Sequence, residues 1–173
     1  MKIHPPQAKE YAPFYAGYVS RASETDVIES LRAQADDLRQ LLSGVTDAQA
    51  RLRPAPPEWS INEVLGHLID GERIFSYRML RIARGDATPL PGFEQDDYIL
   101  PGKFNTRTLA SLLDEFAIAR RSTLSLVETL DDEMLSHVGT ASNTPVSARA
   151  LVFITAGHVA HHTESLRTVY LGQ

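Results

Sequence analysis

SARALVFITAGHVAHHTESLRTV, residues 147–169, is the stretch on which the fold turns. A rotation of about 100° per residue gathers Leu151, Ile154, His158, His162, Leu166 and Val169 into one stripe, with two histidines near its middle. Ser147 stands where a hydroxyl can accept from the first unpaired amides of a helix. The segment therefore reads as a long amphipathic helix that reaches nearly to the C-terminus and turns two imidazoles toward a core. Just upstream lies a polar stretch, Gly139 to Pro145. The residues around His137 to Val146 are the one place where a hairpin competes with a loop.

Three more segments carry the same period. Glu24 to Leu42 places Val27, Ile28, Leu31, Leu38, Leu41 and Leu42 at helical spacing, and Ser43-Gly44 supplies a stop. After a connection holding Pro54, Pro56 and Pro57, Ser60-Ile-Asn-Glu63 forms a capping box, which opens a helix expected to run to about Arg84 and end at Gly85. Thr106 or Thr108 can cap a further helix through Leu109, Leu112, Leu113, Phe116, Leu124 and Val127, and Asp131 to Leu135 suits a short turn. Residues 86–105 hold three prolines and two glycines without a period, which predicts a long loop of the kind that is often functional. The Tyr/Phe-rich opening is expected to pack outside the helices. The fold class is all-α, an antiparallel four-helix bundle forming one domain over residues 1–173.

Composition narrows the chemistry. A formal charge of −5 with acids and bases interspersed offers no basic surface for phosphates, so nucleic acid is not an expected partner. The chain has no cysteine, which removes disulfides, thiolate nucleophiles and every Cys-based zinc site. Any metal must bind through His, Asp or Glu. The opening MKIHPPQAKEYAPFYAGYVS has no signal-peptide pattern, and no run of eighteen apolar residues occurs. A soluble, cytoplasmic protein is the expectation, with no membrane partner.

Histidines four apart lie one above the other on a helix, so His158 and His162 can aim ring nitrogens at one point, about 2.0–2.1 Å away for a zinc-like ion. His67, in Val64-Leu-Gly-His-Leu-Ile-Asp70, is the natural third ligand, carried mid-helix at the margin of a stripe formed by Val64, Leu68, Phe75, Met79 and Ile82. Gly71, one turn on, removes a side chain, which suits either room for an ion or close helix packing. Buried histidines need partners in any case, and spacing leaves open both a metal site and hydrogen-bonded core imidazoles. His161 falls toward the edge of the stripe and suits a rim or supporting role.

Other residues have two readings. Glu72, near the stripe, can serve as a general base or pair with Arg73 or Arg120, and the ion pair is the reading its chemistry favours. Asp70 can anchor a ligand or face solvent. Glu94, Asp96 and Asp97 suit solvated loop acids more than substrate contacts, while Phe93 and Tyr98 can shape a pocket mouth. Trp59, just before the capping serine, suits a hydrophobic staple. His4 and His137 lie in irregular segments and suit surface positions. No serine stands in a nucleophile elbow.

Trp59-Ser-Ile-Asn-Glu-Val-Leu-Gly-His67-Leu-Ile-Asp70 and Gly157-His158-Val-Ala-His161-His162 resemble the two signature segments of the DinB superfamily, and the resemblance spans nearly the whole chain. It implies a YfiT-like four-helix bundle with a metal site on His67, His158 and His162, at which no position departs from the pattern. It further implies a divalent metal such as nickel or zinc, often a homodimer, and a metal-dependent enzyme acting on a small molecule. Within the superfamily are hydrolases and S-transferases or isomerases that use small thiols such as bacillithiol or mycothiol. An open coordination position beside three imidazoles would activate water or such a thiol, with Glu72 and His161 as the candidate catalytic side chains. The contrasting expectation is a non-catalytic, stress-related binding module whose metal only locks two helices together.

Overall fold

The computed structural model describes residues 2–55 and 57–172, so Pro56 of the proline-rich connection lies outside the described residues. Along the chain, α1 spans Ala16–Ala22, α2 Val27–Leu41, α3 Asp47–Ala50, α4 Ile61–Ala83, α5 Gln95–Gly102, α6 Leu109–Val127 and α7 Asp132–Ser136. A hairpin of β1 (Val138–Ala141) and β2 (Thr144–Ser147) then leads into α8, Ala148–Ser165, which closes in a π turn at Leu166–Tyr170. No helix among the described residues is long and apolar enough to cross a membrane.

Local chemistry sets the helix starts. Ser60 accepts from the Glu63 amide while the Glu63 carboxylate accepts from the Ser60 amide at 2.8 Å, the reciprocal box expected of those residues. Thr108 and Ser147 cap α6 and α8 with the hydroxyl alone, each accepting from the amide three residues on. The first bundle helix begins three residues later than the apolar pattern alone suggests, because the Asp26 carboxylate accepts from the Ile28 amide at 2.9 Å and makes Asp26 the cap. Gly85, at φ 77°, ends α4.

Helices α2, α4, α6 and α8 form the bundle, with α2 and α4 on opposite corners and each of them packed on both α6 and α8. Arg32 pairs with Glu128 and Arg39 with Asp114, so α2 and α6 run antiparallel. Asn62 reaches the Arg107 carbonyl and Arg73 pairs with Glu115, so α4 and α6 run parallel. A parallel neighbour requires the chain to recross the length of α4. That is the task of residues 84–108.

This connection is not the structureless loop that its prolines suggest. It contains α5 and a 3₁₀ turn at Phe104–Thr106, held by burial of Ile99 and Phe104. The Phe104 ring fills the space beside Gly66, where a β-carbon would come within 2.3 Å of it. The hairpin turns through Ser142 and Asn143, both at positive φ, as a two-residue primed turn requires. Leu90 then stitches the crossover to it: the Leu90 amide donates to Thr140 O at 2.8 Å and Leu90 O accepts from the Ser142 amide at 3.1 Å. The opening is not merely packed outside, since α1 lies directly along α8.

Two apolar clusters fill the interior, one holding Leu31, Phe75, Met79 and Ile154, the other Leu38, Leu65, Leu112, Phe116 and Val159. Polar residues occupy the layer between them. Arg120 on α6 grips both oxygens of Glu72 on α4, and its remaining donors reach Leu31 O and the Gln34 side-chain oxygen on α2. Gln34 in turn donates to Ala156 O on α8 at 2.7 Å. One hydrogen-bonded chain thus touches all four bundle helices. A buried ion pair is sustained when such further bonds satisfy it.

Candidate metal centre

His67 on α4 meets His158 and His162 on α8 in this same layer. The Nε2 atoms of His67 and His158 stand 2.8 Å apart, and one nitrogen from each of the three rings lies within 4.8 Å of the others. Their ring centroids form a nearly equilateral triangle, with sides of 4.7, 4.8 and 4.7 Å. The rings stand at 70–79° to one another, so three lone pairs converge without stacking.

The surroundings keep these imidazoles neutral. Trp59 lies 5.0 Å from His67, and Phe75 and Tyr18 lie 5.4 and 5.5 Å from His158. Burial, with a smaller contribution from His161, pushes His67 down to about 4. Burial also brings His162 to about 3, helped by His67 and His161, and holds His158 well below the ordinary histidine range. A neutral imidazole is the form that ligates a metal. Among the described residues the His67 and His158 rings hydrogen-bond only to each other, a contact that a metal ion would replace. A tetrahedral ion would hold its nitrogens about 3.3 Å apart, which asks the 2.8 Å pair to open by only a small step. The donor set fits a divalent metal.

His67 and His158 form the floor of a cavity of about 430 Å³ that opens to solvent. Its walls come from three separate segments. Phe14, Tyr15 and Tyr18 arrive from the N-terminal segment, Phe93, Glu94, Gln95 and Asp96 from the crossover, and Ser142 and Thr144 from the hairpin.

The other sequence candidates fall as follows. His161 is half-buried, 5.0 Å from the His162 ring and 5.5 Å from Tyr18, outside the converging set and not among the residues that line the cavity. Glu72 takes the ion-pair reading with Arg120, both being 1% exposed, and its two oxygens are spoken for. Among the described residues no hydrogen bond joins the Asp70 side chain to a histidine ring. Glu94 and Asp96 line the cavity whereas Asp97 does not, and Tyr98 packs behind Phe93 in a neighbouring alcove. Trp59 both faces His67 and accepts the Tyr170 hydroxyl on its carbonyl. His137 bonds the Ala83 carbonyl at the end of α4, far from any ligand role. Sequence reasoning missed the part played by Tyr15 and Tyr18. Their only signal is aromatic spacing at 14, 15 and 18, one helical turn.

A sequence profile described as the DinB superfamily matches residues 30–166, a range that contains all three histidines. The chain belongs to the DinB superfamily. Among solved structures, this DinB protein is similar to YfiT from Bacillus subtilis, described as a probable metal-dependent hydrolase with an unusual four-helix bundle topology. The TM-score is 0.72 at 15% identity, over 96% of this chain and 94% of that one. It is also similar to a mycothiol-dependent maleylpyruvate isomerase, with a TM-score of 0.67 at 14% identity, over 81% of this chain and 59% of that one. At these identities the likeness establishes the DinB bundle fold. No curated protein matches the sequence.

Proposed function

We propose that His67, His158 and His162 hold one divalent metal ion, nickel or zinc, and that the protein is a metal-dependent enzyme acting on a small molecule. The observation that carries this reading is the position of His67 and His158, two of the three converging imidazoles, on an open cavity rather than in sealed core. A structural site is closed by protein ligands, whereas a catalytic site keeps a position free, and a three-nitrogen set with two of its rings on a cavity suits the second. When bound, the ion would supply Lewis acidity, lowering the pKa of a water or thiol that it polarises. The protein's own part is to hold three neutral donors in place, with Trp59 and Phe75 packed against the rings and the Glu72–Arg120 pair fixing α4 to α6 behind them.

Two chemistries use such a centre. Hydrolysis is supported by the description of YfiT, and transfer or isomerisation with a low-molecular-weight thiol by the mycothiol-dependent isomerase. A cytoplasmic homodimer is part of the same proposal, and light scattering on the purified protein reads the dimer. The deciding experiment is metal analysis on untagged protein, followed by turnover assays with ester and amide panels and with thiol plus electrophile. A stoichiometric ion with turnover that His162→Ala abolishes, the fold being retained, is the expected result. A stoichiometric ion without turnover on either panel would indicate a metal that only locks α4 to α8, and absence of a tight ion at neutral pH would remove the proposal.

A further inference from the structure

The walls of the cavity differ in chemistry from its floor. Five of the lining side chains are aromatic: Phe14, Tyr15, Tyr18, Phe75 and Phe93. Two are carboxylates, Glu94 and Asp96, and no lysine or arginine lines it. Most acids on this protein that have a basic neighbour use it, as in the pairs of Glu10 with Arg149, Glu63 with Arg53 and Glu115 with Arg73. Glu94 and Asp96 make no ion pair and no side-chain hydrogen bond among the described residues.

One guanidinium, that of Arg78, lies over the Phe93 ring and has no acidic partner among the described residues, so one aromatic face of the wall already holds a cation. Arg78 is buried, donates to Pro91 O at 2.8 Å and Ser142 Oγ at 3.0 Å, and stands 5.7 Å from the centre of the Phe93 ring. Arg78 thereby pins the crossover to the hairpin turn and lines the alcove behind Phe93 instead. Arg73, also in that alcove, pairs with Glu115. At the floor, His67 and His158 are 5% and 4% exposed, polar, aimed into the cavity and bonded only to each other. The cavity thus combines neutral nitrogen donors, aromatic faces of which Tyr18 and Phe75 pack on His158, and two carboxylates without an ion-pair partner among the described residues.

We propose that the cavity recognises a substrate carrying an organic ammonium group, with the cation held between the aromatic walls and the Glu94 and Asp96 carboxylates while the reacting end points to the histidines. Aromatic faces attract cations through their ring quadrupole, and recognition of ammonium groups by aromatic cages is the established use of that force. Partial enclosure strengthens it, because carboxylates next to apolar walls focus their field into the cleft. A small anion meets the reverse field at the mouth. This inference rests on the reading of the cavity as the substrate site.

The probe is benzyltrimethylammonium, which has no lone pair to offer a metal, compared with uncharged 2-phenylethanol and anionic phenylacetate. Binding is measured by calorimetry and by chemical shifts on the full chain, metal-free and zinc-loaded, for the wild type and the Glu94→Gln/Asp96→Asn double variant. Both substituted positions are exposed, so the variant keeps its fold, which circular dichroism verifies. The expected result on metal-free protein is that the ammonium binds about ten-fold tighter than the alcohol, with a preference that weakens as salt rises and disappears in the double variant. No binding of the ammonium, equal affinity for ammonium and alcohol, tighter binding of phenylacetate, or a preference that survives in the double variant each overturns the proposal. Failure of the metal reading shows separately as absence of zinc uptake, with the ranking of the three probes unaffected.

Discussion

A β-carbon on Gly71 would stand 3.0 Å from Cε1 and 3.3 Å from Nδ1 of the His158 ring. The glycine is where α4 makes room for the His158 ring carried by α8. The space that the sequence offered to an ion or to helix packing is taken by an imidazole.

Gly71→Ala therefore tests the metal centre more sharply than it tests the fold. Alanine favours a helix interior over glycine by about 0.5–1 kcal/mol, which offsets part of an overpacking cost of about 1–3 kcal/mol. Net stability in urea should change little. The ring, in contrast, must shift by a few tenths of an ångström, and we expect the affinity for zinc to fall about ten-fold or more, since ligand geometry tolerates little displacement. Competition with a chromophoric chelator measures this. An unchanged zinc affinity would mean that the His158 position is not set by Gly71.

The Glu72–Arg120 pair makes a prediction about stability. With both side chains 1% exposed, Glu72→Ala strands the guanidinium in a layer with no other acid, and loss of one partner of a buried pair costs about 3–5 kcal/mol. Replacing both, as Glu72→Leu with Arg120→Met, leaves no stranded charge and should recover most of that loss. Urea denaturation of the two variants reads the difference. A double variant no more stable than the single one would show that the Gln34 and Leu31 bonds to Arg120, and not the charge pair, hold the layer.

How much of this was legible in the sequence follows from the range of the forces involved. Ser60, Thr108 and Ser147 announce their helices because a cap acts within three residues. The three histidines could be gathered because helical period places them on buried faces, and one ion pair of Glu72 was foreseeable from its apolar flank. Helix α5 was not legible, since Gln95–Gly102 has Pro101 in its last turn and is held by Ile99 and Phe104, whose partner space exists only because Gly66 lies far back in the chain. The cavity walls were likewise hidden. Tyr18, Glu94 and Ser142 share a surface only after the crossover has been stitched to the hairpin by Leu90.

The histidine layer predicts a pH dependence with a definite sign. In the metal-free fold His67 titrates at about 4 and His162 at about 3, while an unfolded histidine titrates at about 6.5. Between those values the unfolded chain binds more protons, so stability is full above about pH 6.5 and is lost as the pH falls toward 4. Each such group contributes a slope of about 1.4 kcal/mol per pH unit within the window, less where the three couple. Midpoints in urea at pH 7, 6 and 5 should fall steadily, and His67→Leu should flatten the trend. Zinc at saturating concentration should raise the midpoint at pH 7 and lose that effect by pH 5, because protons then compete for the same nitrogens. A metal-free midpoint constant from pH 7 to 5 would contradict the buried, neutral state of these rings.

Gly157 controls the other side of the cavity. A β-carbon there would lie 1.9 Å from the carbonyl oxygen of Tyr18, and both partners of that contact are backbone, which has no rotamer to yield. Gly157→Ala must therefore push α1 off α8. The displaced segment carries Phe14, Tyr15 and Tyr18, whereas His67, His158 and His162 sit on α4 and α8, where His158 loses its Tyr18 contact but keeps Phe75 and the other two rings. The expected signature is local: amide exchange over residues 13–22 should rise by about an order of magnitude or more, with zinc still bound, since a segment held by one packed face opens on its own. Affinity for ligands that use the aromatic wall should fall in parallel. If exchange in residues 13–22 stays as in the wild type, α1 does not depend on the close approach at Gly157, and the wall it provides must be held by Tyr15 and Tyr18 themselves.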